Sequence, residues 1–126
     1  MDLPPANERR TVAILFAGLC DFARLEGALP PERLCDTLDV LFRRFRAAVE
    51  ARGGTVDKFI GDTVMAVFGA PVAHEDDPLR ALRAAQEMHR ETAAFAAECG
   101  LELALRAGVN HGEVLWGAVA GERPTA

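Results

Sequence analysis

Two short β-prone runs, Thr55 to Ile60 and Thr63 to Phe68, are separated only by Gly61-Asp62. A two-residue connection forces its strands to lie antiparallel and adjacent. Glycine in its first position predicts a type II′ turn, because that position needs positive φ. Gly69-Ala70-Pro71 closes the second strand. A lone hairpin is barely stable in water, so its apolar residues require further strands or a helical layer.

The flanking sequence supplies both. Thr11 to Ala17 is apolar and β-branched, ends at Gly18, and is apolar on both faces; this predicts a central strand covered on both sides. Pro30-Pro31-Glu32 opens a helix, since proline fits the first turn. Leu34, Leu38, Leu41, Phe45 and Val49 follow at helical spacing, with Arg43, Arg44 and Glu50 opposite and Gly53-Gly54 as terminator. Asp77-Pro78 predicts a second helix, with Asp77 as cap and Pro78 at the first position. Ala81, Ala85, Met88, Thr92, Phe95 and Cys99 form its stripe, and Gly100 ends it. Leu101, Leu103, Leu105, Ala107 and Val109 alternate with Glu102, Ala104, Arg106 and Gly108, as in a half-buried strand. Asn110-His111-Gly112 is expected to turn, and Glu113 to Ala120 to form one more strand.

The resulting order is β-α-β-β-α-β-β. It predicts an α+β fold with a ferredoxin-like β-α-β-β-α-β core: an antiparallel sheet, two helices on one face, and an extra C-terminal strand. The end of the first strand then faces the hairpin tip, bringing Gly18 to Phe22 near Gly61-Asp62. Residues 1–9 are expected to be a flexible lead-in, and 10–126 one domain.

Composition excludes several roles. The 126 residues carry a formal charge of -5, against the basic face that a phosphate-backbone binder needs, so no nucleic-acid partner is expected. The three cysteines, Cys20, Cys35 and Cys99, are widely spaced and read as reduced thiols of a cytoplasmic protein. No apolar run is long enough to span a membrane, and Met1 to Arg10 lacks a signal-peptide h-region.

Few residues stand out chemically. Asp62 at a tight hairpin tip is a rigid carboxylate suited to Mg²⁺, though aspartate is also an ordinary turn residue. Lys58 interrupts an apolar strand and shares a face with Val56 and Ile60 in regular alternation. It could snorkel to solvent or donate to a base or phosphate. Gly18-Leu19-Cys20-Asp21-Phe22, following a buried strand, could offer backbone N–H groups to phosphate. His74-Glu75-Asp76-Asp77 reads as an acidic helix start rather than a metal cluster. His111 reads as a turn residue, His89 as lying on a polar helix face, and Trp116 as core or interface.

Val12 to Ala17, Asp57-Lys58-Phe59-Ile60-Gly61-Asp62 with its continuation to Gly69, Ala70 to Asp77, and Arg106 to Val114 together resemble the bacterial class III adenylate and guanylate cyclase catalytic domain, in the same order. The resemblance covers about Glu8 to Arg123. It implies conversion of ATP to cyclic AMP and pyrophosphate at two Mg²⁺ or Mn²⁺ ions, in a head-to-tail dimer. By position it implies metal ligation by Asp62 and the Leu19 backbone, and base reading by Lys58. It further implies a phosphate loop of Leu19, Cys20, Asp21 and Phe22, and nucleotide contact at Ile60 and Gly61. The pattern departs at Gly18, where the family has a metal-binding aspartate; Asp21, three residues on, is the candidate substitute. The family's later aspartate, asparagine and arginine do not follow before Ala126. Activity is therefore expected to be impaired, with pairing to itself or to a complete cyclase domain. The alternatives are a catalytically degenerate dimerisation, regulatory or nucleotide-binding module, or a truncated product.

Overall fold

The computed structural model describes residues 8–116. Seven elements run in order: β1 (Glu8–Leu19), α1 (Phe22–Ala28), α2 (Pro31–Ala51), β2 (Thr55–Ile60), β3 (Thr63–Phe68), α3 (Asp77–Cys99) and β4 (Leu105–Trp116). The strands form one sheet in the order β2-β3-β1-β4, with every neighbouring pair antiparallel. This is the expected α+β ferredoxin-like arrangement, with β1 central.

Ala13, Leu15, Ala17 and Leu19 of β1 and Val64, Ala66 and Phe68 of β3 face the helices. They pack there against Leu41, Phe45 and Val49 of α2 and Ala81, Ala85, Met88 and Phe95 of α3. Each large side chain buried this way contributes about 1.5–3 kcal/mol. Arg44 ties the two helices together, lying 2.7 Å from Glu98 and over the Phe95 ring.

The other sheet face is covered only in part. Val12, Val67 and Ala70 are buried there, with Ile14 and Val114 packed against them, but Phe16 is 40% exposed. The expectation that β1 is covered along both faces therefore fails at its C-terminal half.

Four boundaries also differ from the sequence reading. Glu8 and Arg9, expected in the lead-in, begin β1 opposite Trp116 and Leu115. Phe22–Ala28 forms a short helix that the apolar pattern did not announce. The expected strand at Leu101 begins only at Leu105. Asn110-His111-Gly112 does not turn: these residues pair with Ile14, Ala13 and Val12 in an unbroken β4. The expected last strand thus begins as the continuation of β4. Its residues 117–120, and the rest of the chain to Ala126, lie outside the described residues, as does the Trp116 side chain.

Candidate nucleotide site

The hairpin turns as its sequence requires, with Gly61 at φ 59°. β3 pairs with β1 so that Thr63 lies opposite Gly18. Asp62 therefore reaches β1, and its carboxylate Oδ2 accepts the Leu19 backbone N–H at 2.9 Å. A Cβ placed on Gly18 would lie 2.9 Å from Thr63 Oγ1 and 3.4 Å from Asp62 Oδ2. The end of β1 and the hairpin tip meet as anticipated.

Lys58 comes to the open sheet face by a different route from the one its spacing implied. Val56 pairs with Ala66, but Lys58 pairs with Met65, with a register shift between them. Asp57 is thus the extra residue of a β-bulge. Val56 and Ala66 face the helices, whereas cross-strand partners share a face, so Lys58 sides with Met65 and Phe16. Val56, Lys58 and Ile60 do not share one face. Lys58, Met65, Phe16 and Gly108 form one cross-strand row on the open side. Ile60, Thr63, Gly18 and Arg106 form the next. The Lys58 ammonium is 3.8 Å from Asp57 Oδ2; its side chain is 44% exposed and that of Asp57 only 5%.

Phe16, Ala17, Gly18, Thr63, Arg106, Ala107 and Gly108 line a cavity of about 340 Å³ on this side. Arg106 is the cationic side chain among them. Sequence reading placed it only on the polar side of a strand; its partner across the sheet, Gly18, is the signal that gives it importance.

Cys20, Asp21 and Phe22 do not join this group. Gly18 and Leu19 belong to β1, so the expected phosphate loop shrinks to a turn at Cys20-Asp21. The Cys20 N–H donates to the Ala104 carbonyl at 2.8 Å. Asp21, at φ 54°, precedes α1, and Phe22 packs against the core. Leu19, Cys20 and Asp21 line a second cavity of about 180 Å³ with Arg24 and Glu102. There Asp21 lies 3.1 Å from Arg24. The hydrogen bond from Arg24 to Glu102, then the charges of Glu102 and Asp21, hold the Arg24 pKa above its ordinary value.

Asp77 is also not the helix cap expected. Asp76 occupies that position, while the buried Asp77 carboxylate accepts the His74 N–H at 2.8 Å. His89 and His111 are exposed.

A dication needs several oxygen ligands in defined geometry. Asp62 is the carboxylate at the junction of β1 and the hairpin, and one of its oxygens already accepts an N–H. Gly18 offers no side chain, and Asp21 is held by Arg24. No three His, Cys, Asp or Glu side chains gather where they could hold a metal ion among the described residues. This donor set does not fit a pair of dications held by this chain. What the face does offer is two cations and an apolar floor, which suits a planar base joined to an anionic tail.

A four-stranded antiparallel sheet with its helices on one face defines a ferredoxin-like α+β class that hosts many functions, and similarity narrows the class to a family. Residues 5–125 match the family described as adenylate and guanylate cyclase catalytic domain. The chain belongs to that family. It is 31% identical to adenylate cyclase 1 of Rhizobium meliloti (strain 1021) over 115 residues, 88% of this chain. It spans only 17% of that relative's length. The fold matches the crystal structure of the guanylyl cyclase Cya2 at TM-score 0.82 and 33% identity, covering 94% of this chain and 63% of that one. It matches the adenylyl cyclase CyaB of P. aeruginosa at TM-score 0.87 and 25% identity, covering 94% and 66%. No helix among the described residues is long and apolar enough to cross a membrane.

Proposed function

We propose that this chain binds a purine nucleoside triphosphate, ATP in preference to GTP, on the open sheet face. It acts there as a nucleotidyl cyclase domain of low turnover. The observation that carries this reading is the placement of Lys58 on β2 and Arg106 on β4 at opposite ends of adjacent cross-strand rows on the same open face. Lys58 donates to an acceptor nitrogen of adenine; guanine presents a donor at that position and calls for an acceptor instead. Arg106 meets the phosphate tail in the cavity that it lines with Gly18 and Thr63. In the reaction the ribose 3′ oxygen bonds to the α-phosphorus, the bond to the departing pyrophosphate breaks, and the 3′ proton passes to solvent. Mg²⁺ or Mn²⁺ supplies Lewis acidity to such transfers, but the residues here do not provide for two ions, and no step is assigned to one. The missing carboxylate at Gly18 equally favours a second reading, a regulatory or dimerisation module that binds nucleotide without turnover. Pairing with a second copy or a complete cyclase domain, and a cytoplasmic location, belong to the same proposal.

Equilibrium titration with ATP and GTP tests the site. ATP is expected to bind more tightly, and Lys58→Ala to weaken ATP by about tenfold, or ~1.4 kcal/mol. Equal affinities together with indifference to Lys58→Ala would remove the base-reading role. Cyclic AMP formation by the protein separates the two readings: measurable product supports the cyclase, and nucleotide binding with none supports the module.

A further inference from the structure

Position 18 is not simply vacant. The space a side chain would enter is taken by the Thr63 hydroxyl, 2.9 Å from the would-be Cβ, and by Asp62 Oδ2 at 3.4 Å. That same oxygen accepts the Leu19 N–H, joining residues 43 apart in sequence. The N–H occupies one of the roughly four lone-pair sites of the carboxylate, and what is left of Asp62 falls short of the several oxygen ligands that a dication takes. Asp21 does not compensate, being engaged by Arg24 in the other cavity, and no three His, Cys, Asp or Glu side chains gather to hold a metal ion among the described residues.

We infer that Asp62 serves this chain as a pin, fastening the hairpin tip to the end of β1, and that nucleotide is taken up without a dication ligated by Asp62. This rests on the nucleotide site proposed above, but the pin itself does not. The pin holds Gly18, Thr63 and Leu19 in register, so it positions the floor of the cavity rather than reacting. Asparagine keeps the acceptor oxygen and loses the charge; alanine loses both. The two substitutions therefore separate a hydrogen-bonding role from a metal-binding one.

The test measures melting temperature and ATP affinity for wild type, Asp62→Asn and Asp62→Ala, each in EDTA and in Mn²⁺. The expected result is that Asp62→Asn melts within about 2 °C of wild type while Asp62→Ala melts about 4–8 °C lower. Wild-type ATP affinity in EDTA and Mn²⁺ is expected to agree within about threefold. Affinity about tenfold tighter in Mn²⁺, with the gain lost in Asp62→Asn, overturns the inference by showing a carboxylate-held ion. A gain that survives in Asp62→Asn belongs to metal carried by the nucleotide and supports the pin. Unchanged melting of Asp62→Ala overturns it. If ATP fails to bind in either condition, the nucleotide-site reading falls, and the pin is decided by the melting temperatures alone.

Discussion

Gly54 shows how tightly some residues are constrained. A Cβ there would lie 2.5–2.8 Å from three ring atoms of Phe68, which is fully buried in the core and has no room to retreat. Gly54→Ala is expected to destabilise the fold by about 1–3 kcal/mol, the usual result of overpacking. A fall in urea midpoint with unchanged slope would confirm it. The sequence marked Gly53-Gly54 only as a helix terminator, which fits Gly53 at φ 81°; the demand on Gly54 comes from a ring fourteen positions away. The same limit applies at Gly18. Its lack of a carboxylate was legible, but the filling of its place by Thr63 and Asp62 depends on strand register.

Among the elements, the helices were the most legible. Steps of three and four residues marked Leu41, Phe45 and Val49 of α2 and Ala81, Ala85 and Met88 of α3, all of which are buried. Alternation marked β2 and β3 but missed the bulge, because one extra residue leaves no trace in composition. Asn110-His111-Gly112 resembled a turn, yet the longer β1 supplies each with a partner, and pairing outweighs local preference. The start of α3 carries its own prediction. Asp76 Oδ1 lies 2.6 Å from Arg80 Nε, and this hydrogen bond holds the Asp76 carboxyl below its ordinary pKa. A carboxylate depressed in the folded state adds stability above its unfolded pKa, and that stability is lost as pH falls through the folded value. Asp76→Asn is therefore expected to lower the melting temperature at neutral pH. The difference from wild type should close as pH falls below about 4, as thermal scans across that range would show.

At the scale of the whole molecule, both helical layers lie on one side of the sheet, leaving Phe16 40% and Ile60 58% exposed on the other. Alternation could not distinguish this, because an apolar residue reads the same whichever layer covers it. Exposed apolar surface of this kind is costly in an isolated protomer, and the pairing proposed above would relieve that cost by covering it. Phe16→Glu is expected to shift sedimentation equilibrium toward monomer, with a melting temperature that no longer rises with protein concentration. Self-association unchanged by the substitution would place the contact elsewhere.

The extra residue in β2 has a consequence for chain length. With Asp57 outside the regular pairing, Val56 and Phe59 both point toward the helices while Lys58 and Ile60 point away. Removing Asp57 would leave an ordinary ladder in which each of those side chains keeps its side. Removing Phe59 or Ile60 instead, with the pairing at Val56 and at the hairpin kept, would bring Lys58 opposite Val64 and turn it toward the helices. The strand therefore has one spare position, and a chain one residue shorter there is compatible with the same sheet.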